Sequence, residues 1–415
     1  MTKDFYSHNR EKLRAQLEPG SAVVVLCGHP LKKTADEKFR LAPNRNFLYL
    51  AGVPEENVLL YMEQEGEEIL FIERFDEVKA KWMGATISPE DASKVSGVKN
   101  IRMRDEFDAF LHRKIASGTL RKLYFDMEKD SADAAYPPGG QMALTIAQKY
   151  PHQALGDVFP LIAQMRVFKE PEEIEEIRKA IEITKEGILN VWKNRRHGVK
   201  EYEMEAEFDY ILKKRGVVDI AFRTICAAGK NAAVLHYVDN NQEIQQGDLL
   251  LLDLGAQWNY YSADISRTFP ISGTFSPRQK ELYGIVRLAM QRVFDAIRPG
   301  VPFLRLNEIV RETYAQELQR IGLIAGPQEV SKYYFHGVSH YMGLDTHDVG
   351  SRDQELAPGM VLTVEPGLYL PEEGIGIRIE DDVLVTEGGM EILSEDIPRD
   401  LEAIEAFLAE PVPGK

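Results

Sequence analysis

Cysteine is almost missing from this chain: two occur in 415 residues, Cys27 and Cys226, far apart in sequence. Such a chain has no disulfide framework, and it suits a reducing compartment. Basic charge is also short, with 50 Lys plus Arg against 66 Asp plus Glu and a formal net charge of −16. Phosphate binding needs recurring basic stripes, so nucleic acid is excluded as a main partner, and small or peptidic substrates fit better. Long apolar runs are lacking too. The longest, around residues 23–26 and 249–252, are strand-sized, and the opening residues hold no apolar stretch of the kind secretory signals carry. No membrane partner is expected, and the expected location is the cytoplasm. What remains, 44% hydrophobic and 28% charged residues, describes a globular protein. Its length calls for roughly two or three cores rather than one.

The first part reads as mixed α/β. An opening helix to about Leu17 precedes a β-branched run at residues 22–27, with further strands expected at 47–50, 58–61, 69–72 and 123–125 and helices at 104–116 and 141–149. His8, His29, His112 and His152 stand alone there, so this part is expected to be scaffold. Residues 155–169 read as the crossing to a second domain. Pro171 and the acids around it open a helix whose apolar positions Ile174, Ile177, Ile181 and Ile188 repeat at helical spacing. Helices are also expected at 202–214, at 276–297 behind a Ser276-Pro-Arg-Gln279 capping box, and at 305–321 before Gly322.

The chemistry concentrates in the second part. Residues 331–348 hold three of the nine histidines, His336, His340 and His347, among glycines and aromatics. Residues 248–269 read as two strands joined by a turn at Trp258-Asn259, which would set Asp253 opposite Asp264. Facing carboxylates lie about 5 Å apart and repel, and burial among leucines worsens the conflict. A divalent cation removes it. Glu365 ends an apolar strand, and Glu380 is expected inside an alternating one, with Arg378 two positions before it on the same face. The resulting set is Asp253, Asp264, His340, Glu365 and Glu380, oxygen-rich with a single imidazole. It suits two hard-to-borderline divalent ions, Mn first with Co or Zn compatible, and leaves room for a bridging hydroxide.

The motifs Asp253-Leu-Gly, Ser262-Ala-Asp-Ile-Ser-Arg-Thr-Phe-Pro270, His336-Gly-Val-Ser-His340, Gly343-Leu-Asp-Thr-His-Asp348, Val364-Glu-Pro-Gly367 and Gly376-Ile-Arg-Ile-Glu380 resemble the pita-bread metallopeptidases, a family that includes aminopeptidase P, prolidase and methionine aminopeptidase. The resemblance spans roughly residues 170–400. Residues 1–165 are similar, more loosely, to the N-terminal domain shared by aminopeptidase P, prolidase and creatinase. The implied fold class is α+β, with a creatinase-type N-terminal domain over 1–165 and a pita-bread catalytic domain over 166–415. The implied activity is that of an Xaa-Pro aminopeptidase, with an Xaa-Pro dipeptidase as the nearest alternative and a non-catalytic binding protein as a remoter one. The resemblance further implies that Asp264 and Glu380 bridge two metals, that Asp253 completes one and His340 with Glu365 the other, and that Glu365 also handles the proton of the attacking hydroxide. His236 then sits beside the substrate and His347 at the scissile carbonyl, while His336 and Arg378 shape the pocket. Proline-containing peptides are the implied substrates, and homodimers or homotetramers the implied assemblies. One departure is visible: fifteen positions separate Glu365 from Glu380, fewer than in large members of the family.

Overall fold

A computed structural model describes residues 1–129 and 131–410. The chain forms two compact units, Met1–Arg166 and Val167–Lys415. In the first, strands β1 (Ser21–Leu26), β2 (Leu59–Glu63), β3 (Glu68–Ile72), β4 (Asn100–Met103), β5 (Lys122–Phe125) and β6 (Ala154–Asp157) form one mixed sheet in the order β4-β3-β2-β1-β5-β6. Hydrophobic alternation turns Val24, Tyr61, Phe71 and Phe125 to one face, where the helix Phe107–Ala116 seats Phe107, Phe110 and Ile115 against them. Tyr61 meets Phe110 edge-on with ring centroids 4.9 Å apart.

One expected strand is a helix. Residues 47–50 are an unbroken apolar run, and such a run does not distinguish a buried strand from a buried helix. The caps decide it: the Asn44 carboxamide oxygen accepts the Phe47 N–H at 2.7 Å, and Gly52 closes the helix Arg45–Ala51 with φ 67°. Strands β4 and β6 were not anticipated, since neither carries a β-branched run. The residues expected to cross between domains instead form β6 and the helix Phe159–Val167.

The second unit is framed by the helices Pro171–Asn194, Glu201–Lys214, Pro277–Ala296 and Arg305–Arg320, close to the bounds the sequence suggests. Pro171 stands in the first turn of its helix, and Ser276 and Gln279 cap theirs reciprocally. The strands are β7 (Asp219–Ile220), β8 (Ile225–Ala228), β9 (Leu249–Leu254), β10 (Ala256–Trp258), β11 (Tyr261–Ser262), β12 (Ile265–Pro270), β13 (Val361–Val364), β14 (Gly367–Leu370), β15 (Ile375–Arg378), β16 (Asp381–Thr386) and β17 (Gly389–Ile392). They pair as β11-β10-β7, β12-β9-β8, β13-β16-β17 and β14-β15.

The hairpin turn sits one residue later than expected, which shifts the pairing by two residues. The turn is Asn259-Tyr260, both with positive φ (46° and 71°), as a primed two-residue turn demands, and Trp258 stays in the strand opposite Tyr261. Asp253 consequently faces Ser266 rather than Asp264. Asp264 lies two residues along from Ser266, in the break between β11 and β12, diagonal to Asp253 instead of across from it.

Among the described residues no helix is long and apolar enough to cross a membrane. Both cysteines are buried and unpaired. Replacing Asn44 by Ala should lower stability by about 1–2 kcal/mol, because the helix cap is lost together with the Asn44 contact to Asp126; a thermal or urea melt of the variant checks this.

Candidate metal centre

Three of the four expected acids sit where a strand ends or breaks: Asp264 immediately precedes β12, Glu365 immediately follows β13, and Glu380, expected inside a strand, occupies the step between β15 and β16. Asp253 stands within β9, paired with Ile225 on one side and Ser266 on the other. His340 comes from the irregular stretch after the short 3-10 helix Pro327–Lys332, tied by its backbone N–H to the Thr363 hydroxyl at 3.2 Å.

These side chains converge. Ligand atoms of Asp253, Asp264 and Glu380 all lie within 4.8 Å of one another, as do those of His340, Glu365 and Glu380, and those of Asp264, His340 and His347. The groups share Asp264, His340 and Glu380. His340 Nε2 is 3.4 Å from Asp264 Oδ2 and 3.6 Å from Glu365 Oε1. Its Nδ1 lies 2.9 Å from the Tyr341 carbonyl; donating there fixes the tautomer and leaves the Nε2 lone pair facing the acids.

The electrostatics of this cluster are unfavourable without a cation. Burial, and then repulsion from Asp253, push the Asp264 carboxyl well above the usual range. Burial with repulsion from Asp264 does the same to Glu380, and burial raises Glu365 to about 7 against the pull of His340 and Arg378. Asp253 Oδ1 is buried with no hydrogen-bond partner among the described residues. Crowded carboxylates, an oriented imidazole lone pair and an orphaned carboxylate oxygen are what a pair of divalent ions would satisfy, and the donor set fits them.

Around the acids runs a scaffold that the sequence only partly disclosed. Arg378, expected in the pocket wall, donates to Asp253 Oδ2 at 2.6 Å, to the Ser266 hydroxyl at 2.9 Å and to the Tyr369 hydroxyl at 3.1 Å. The Tyr369 hydroxyl in turn lies 2.9 Å from His336 Nε2. Gly367 makes room for it, since a Cβ at that position would stand 2.2 Å from the Tyr369 oxygen. The Ser266 hydroxyl donates to Glu380 Oε2 at 2.8 Å.

Arg267, on the opposite face of β12, is fully buried and uses every donor it has: it bonds the carbonyls of Ser266, Glu380, Ile397 and Pro398 and the Asp381 carboxylate. It thereby pins the backbone that carries Glu380. Sequence reasoning missed Tyr369, Arg267 and the buried acid Asp382, which accepts the Asp264 N–H at 3.2 Å.

The accessory histidines divide by exposure. His336 is half-buried, and its Nδ1 lies 2.7 Å from the Gly337 carbonyl. His236 and His347 are exposed, with the His347 ring 4.3 Å from that of His340. The charge of His236 acts on both His336 and His347, which puts it at the same opening. Burial pushes His336 and His347 down to about 4, so both are neutral near pH 7.

Comparison with known proteins agrees with this geometry. The profile of Metallopeptidase family M24 matches residues 175–387, and that of the aminopeptidase P N-terminal domain matches residues 6–124. The chain belongs to Metallopeptidase family M24. It is 31% identical to the Xaa-Pro aminopeptidase of Escherichia coli over 98% of both chains. A candidate aminopeptidase P from Bacillus anthracis, 46% identical over the full length of both chains, superposes with a TM-score of 0.98. Aminopeptidase P from E. coli, solved with the inhibitor Pro-Leu, gives a TM-score of 0.89 at 31% identity over 98% of each chain. The α+β, pita-bread reading of this M24 chain therefore holds.

The raised carboxyls make a signed prediction for the metal-free protein. A carboxyl whose folded pKa exceeds its unfolded value near 4.5 binds protons more tightly when folded, so its contribution is lost as pH rises through the folded value, about 7 for Glu365. His336 and His347, depressed to about 4, act oppositely, but only below their ordinary value of 6.5. Above pH 6.5 the acids act alone. The melting temperature of chelator-treated protein should accordingly fall from pH 6.5 to 8.5, and saturating Mn should reduce the slope to the share of Glu173, which burial away from the cluster also raises to about 7; thermal melts with and without metal measure both.

Proposed function

We propose that this chain is a dinuclear-metal Xaa-Pro aminopeptidase, removing the N-terminal residue from peptides whose second residue is proline. The convergence of Asp253, Asp264, His340, Glu365 and Glu380 at one buried point carries this reading. Asp264 and Glu380, each within reach of both halves of the cluster, would bridge two ions; Asp253 would complete one, and His340 with Glu365 the other. Manganese is the proposed metal, with cobalt or zinc compatible, because the donors are mostly carboxylate oxygens. Bound there, two dications supply Lewis-acid polarisation of a carbonyl and a water acidic enough to attack it at neutral pH.

The protein's own groups do the rest. Arg378 holds Asp253 by one oxygen and leaves the other turned toward the cluster. Glu365 takes the proton of the attacking water and returns it to the departing proline nitrogen. That nitrogen belongs to a tertiary amide and carries no N–H, so a site that asks for none can accept it. His347 donates to the scissile carbonyl as a neutral ring, and His236 lies against the substrate. Residues 1–165 serve as the N-terminal domain and 166–415 as the catalytic domain. The proposed setting is the cytoplasm, consistent with two unpaired cysteines, and the proposed assembly is a homodimer or homotetramer.

Three measurements test the proposal. Metal-loaded protein should release Xaa from Xaa-Pro-Yaa peptides; hydrolysis confined to Xaa-Pro dipeptides would make it a dipeptidase instead. Asp264→Ala should abolish hydrolysis and lower metal content together, and a variant that still held two ions per chain would refute the bridging role. Glu365→Gln should lower kcat by about 10²–10⁴-fold, read by steady-state kinetics at saturating Mn.

A further inference from the structure

His236 presents a difficulty: it is exposed, in a stretch with little regular structure, yet the proposed function needs its ring in a set place. The segment enters from β8, forms the short 3-10 helix Gly229–Ala233, passes His236 and returns at Gln242. Short polar loops of this kind are ordinarily the mobile part of a domain.

One buried carboxylate gathers this loop. Glu201, the first residue of the helix Glu201–Lys214, is fully buried. Its Oε1 accepts the Ala228 N–H at 2.8 Å and the Asn231 side-chain amide at 3.0 Å. Its Oε2 accepts the Tyr237 hydroxyl at 2.7 Å and the Gln242 N–H at 3.0 Å. Two of these donors sit at the two ends of the loop and two lie within it, one of them on the residue next to His236. The Glu201 N–H also bonds the Gln242 carbonyl at 3.0 Å. Such a buried acid is tolerable because donors fill both oxygens and the helix N-terminus favours negative charge. From the other side, the loop backbone lies directly on β15: a Cβ at Gly376 would stand 2.1 Å from the Ala232 carbonyl oxygen. The loop is thus closed by Glu201 and seated on the strand that carries Arg378.

We infer that Glu201 is a positioning residue for His236, acting through the Tyr237 hydroxyl and the two ends of the loop. The inference rests on the proposed peptidase reading only for the role of His236. Among the described residues Glu201 makes no hydrogen bond to an acid of the metal centre, so its loss should leave metal binding intact while the imidazole wanders.

The test is a double-mutant cycle joined to amide hydrogen exchange on metal-loaded protein. Glu201→Gln keeps the shape but turns an N–H toward donors. It should lower kcat/KM for an Xaa-Pro-Yaa peptide by about 10- to 100-fold, with metal content unchanged. In a His236→Ala background it should cost little more, because the group being positioned is already gone. Equal losses in both backgrounds would overturn the inference. Tyr237→Phe removes a single donor and should show the same pattern more weakly, which keeps the test available if Glu201→Gln fails to fold. Exchange supplies the arm that needs no catalysis: amides of residues 229–242 should exchange faster in either variant, and unchanged exchange there would overturn the inference whatever the protein hydrolyses. Faster exchange in a wild-type background that cleaves no Xaa-Pro-Yaa peptide would support the anchor and count against the peptidase reading alone.

Discussion

Like charges forced together at one buried point govern this fold. Asp253, Asp264, Glu365 and Glu380 come from four separate stretches of chain and meet where water is excluded, so each raises the free energy of ionising the others. Apolar packing cannot compensate such a cluster; it only brings it closer. Among the described residues the one cationic side chain bonded to Asp253 is Arg378, and its position is itself fixed by Ser266, Thr268 and Tyr369. A single guanidinium against four carboxylates leaves a deficit of positive charge, which is the strongest argument that dications complete the structure. Arg267 serves a different end: buried on the far face, it locks the backbone rather than neutralising the site.

Legibility in the sequence followed the range over which each signal acts. Helix ends were readable because caps are local chemistry: Pro171, Ser276 with Gln279, and Gly322 mark the observed ends to within a residue or two. The set of acids was readable because an acid among isoleucines or leucines has few reasons to be there. Two things were not. Residues 47–50 present an apolar run that strand and helix use equally, and the deciding Asn44 cap lies outside it. The hairpin register turned on which residue pair would take positive φ, and Tyr260 adopting it beside Asn259 is unusual for an aromatic. The turn moved by one residue and the pairing therefore by two, which keeps Ser262, Asp264, Ser266 and Thr268 on their face, so the side pointing to the cluster was legible although the partner was not.

Residues that act through others were the least visible. Tyr369 and Arg267 look like ordinary strand positions until the chain is folded, and Glu201 looks like a charged first-turn residue of an amphipathic helix. Their roles come from contacts made across 27 to 130 positions of chain, as with Glu201 and Ala228 or Arg267 and Ile397, and no periodicity encodes those. The charge runs Glu172-Glu173 and Glu175-Glu176 both read from sequence as solvated faces, and for Glu173 that reading is wrong: it is buried and accepts the Tyr261 hydroxyl, a contact made 88 positions away.

The accessory histidines are neutral despite the same shortage of positive charge. A protonated imidazole beside the acids would relieve repulsion. Instead His336 and His347 are held down to about 4 by burial, by Arg378 on the first and by the neighbouring His340 and His236 on the second. That arrangement makes sense if the acids are already spoken for. Imidazolium rings next to bound dications would repel them and would compete for the same carboxylate oxygens. Neutral rings do neither, and each still keeps one N–H to donate and one lone pair to accept. His336 uses both, toward the Gly337 carbonyl and the Tyr369 hydroxyl, which ties it into the Arg378 network and makes it part of the wall. His347 remains exposed with its ring edge-on to that of His340, so its polar atoms stay available at the mouth of the site. The fold thus separates its histidines by task through burial and hydrogen bonding alone: one presents a lone pair to the acids, one braces the wall, and two face outward on loops where a peptide would arrive.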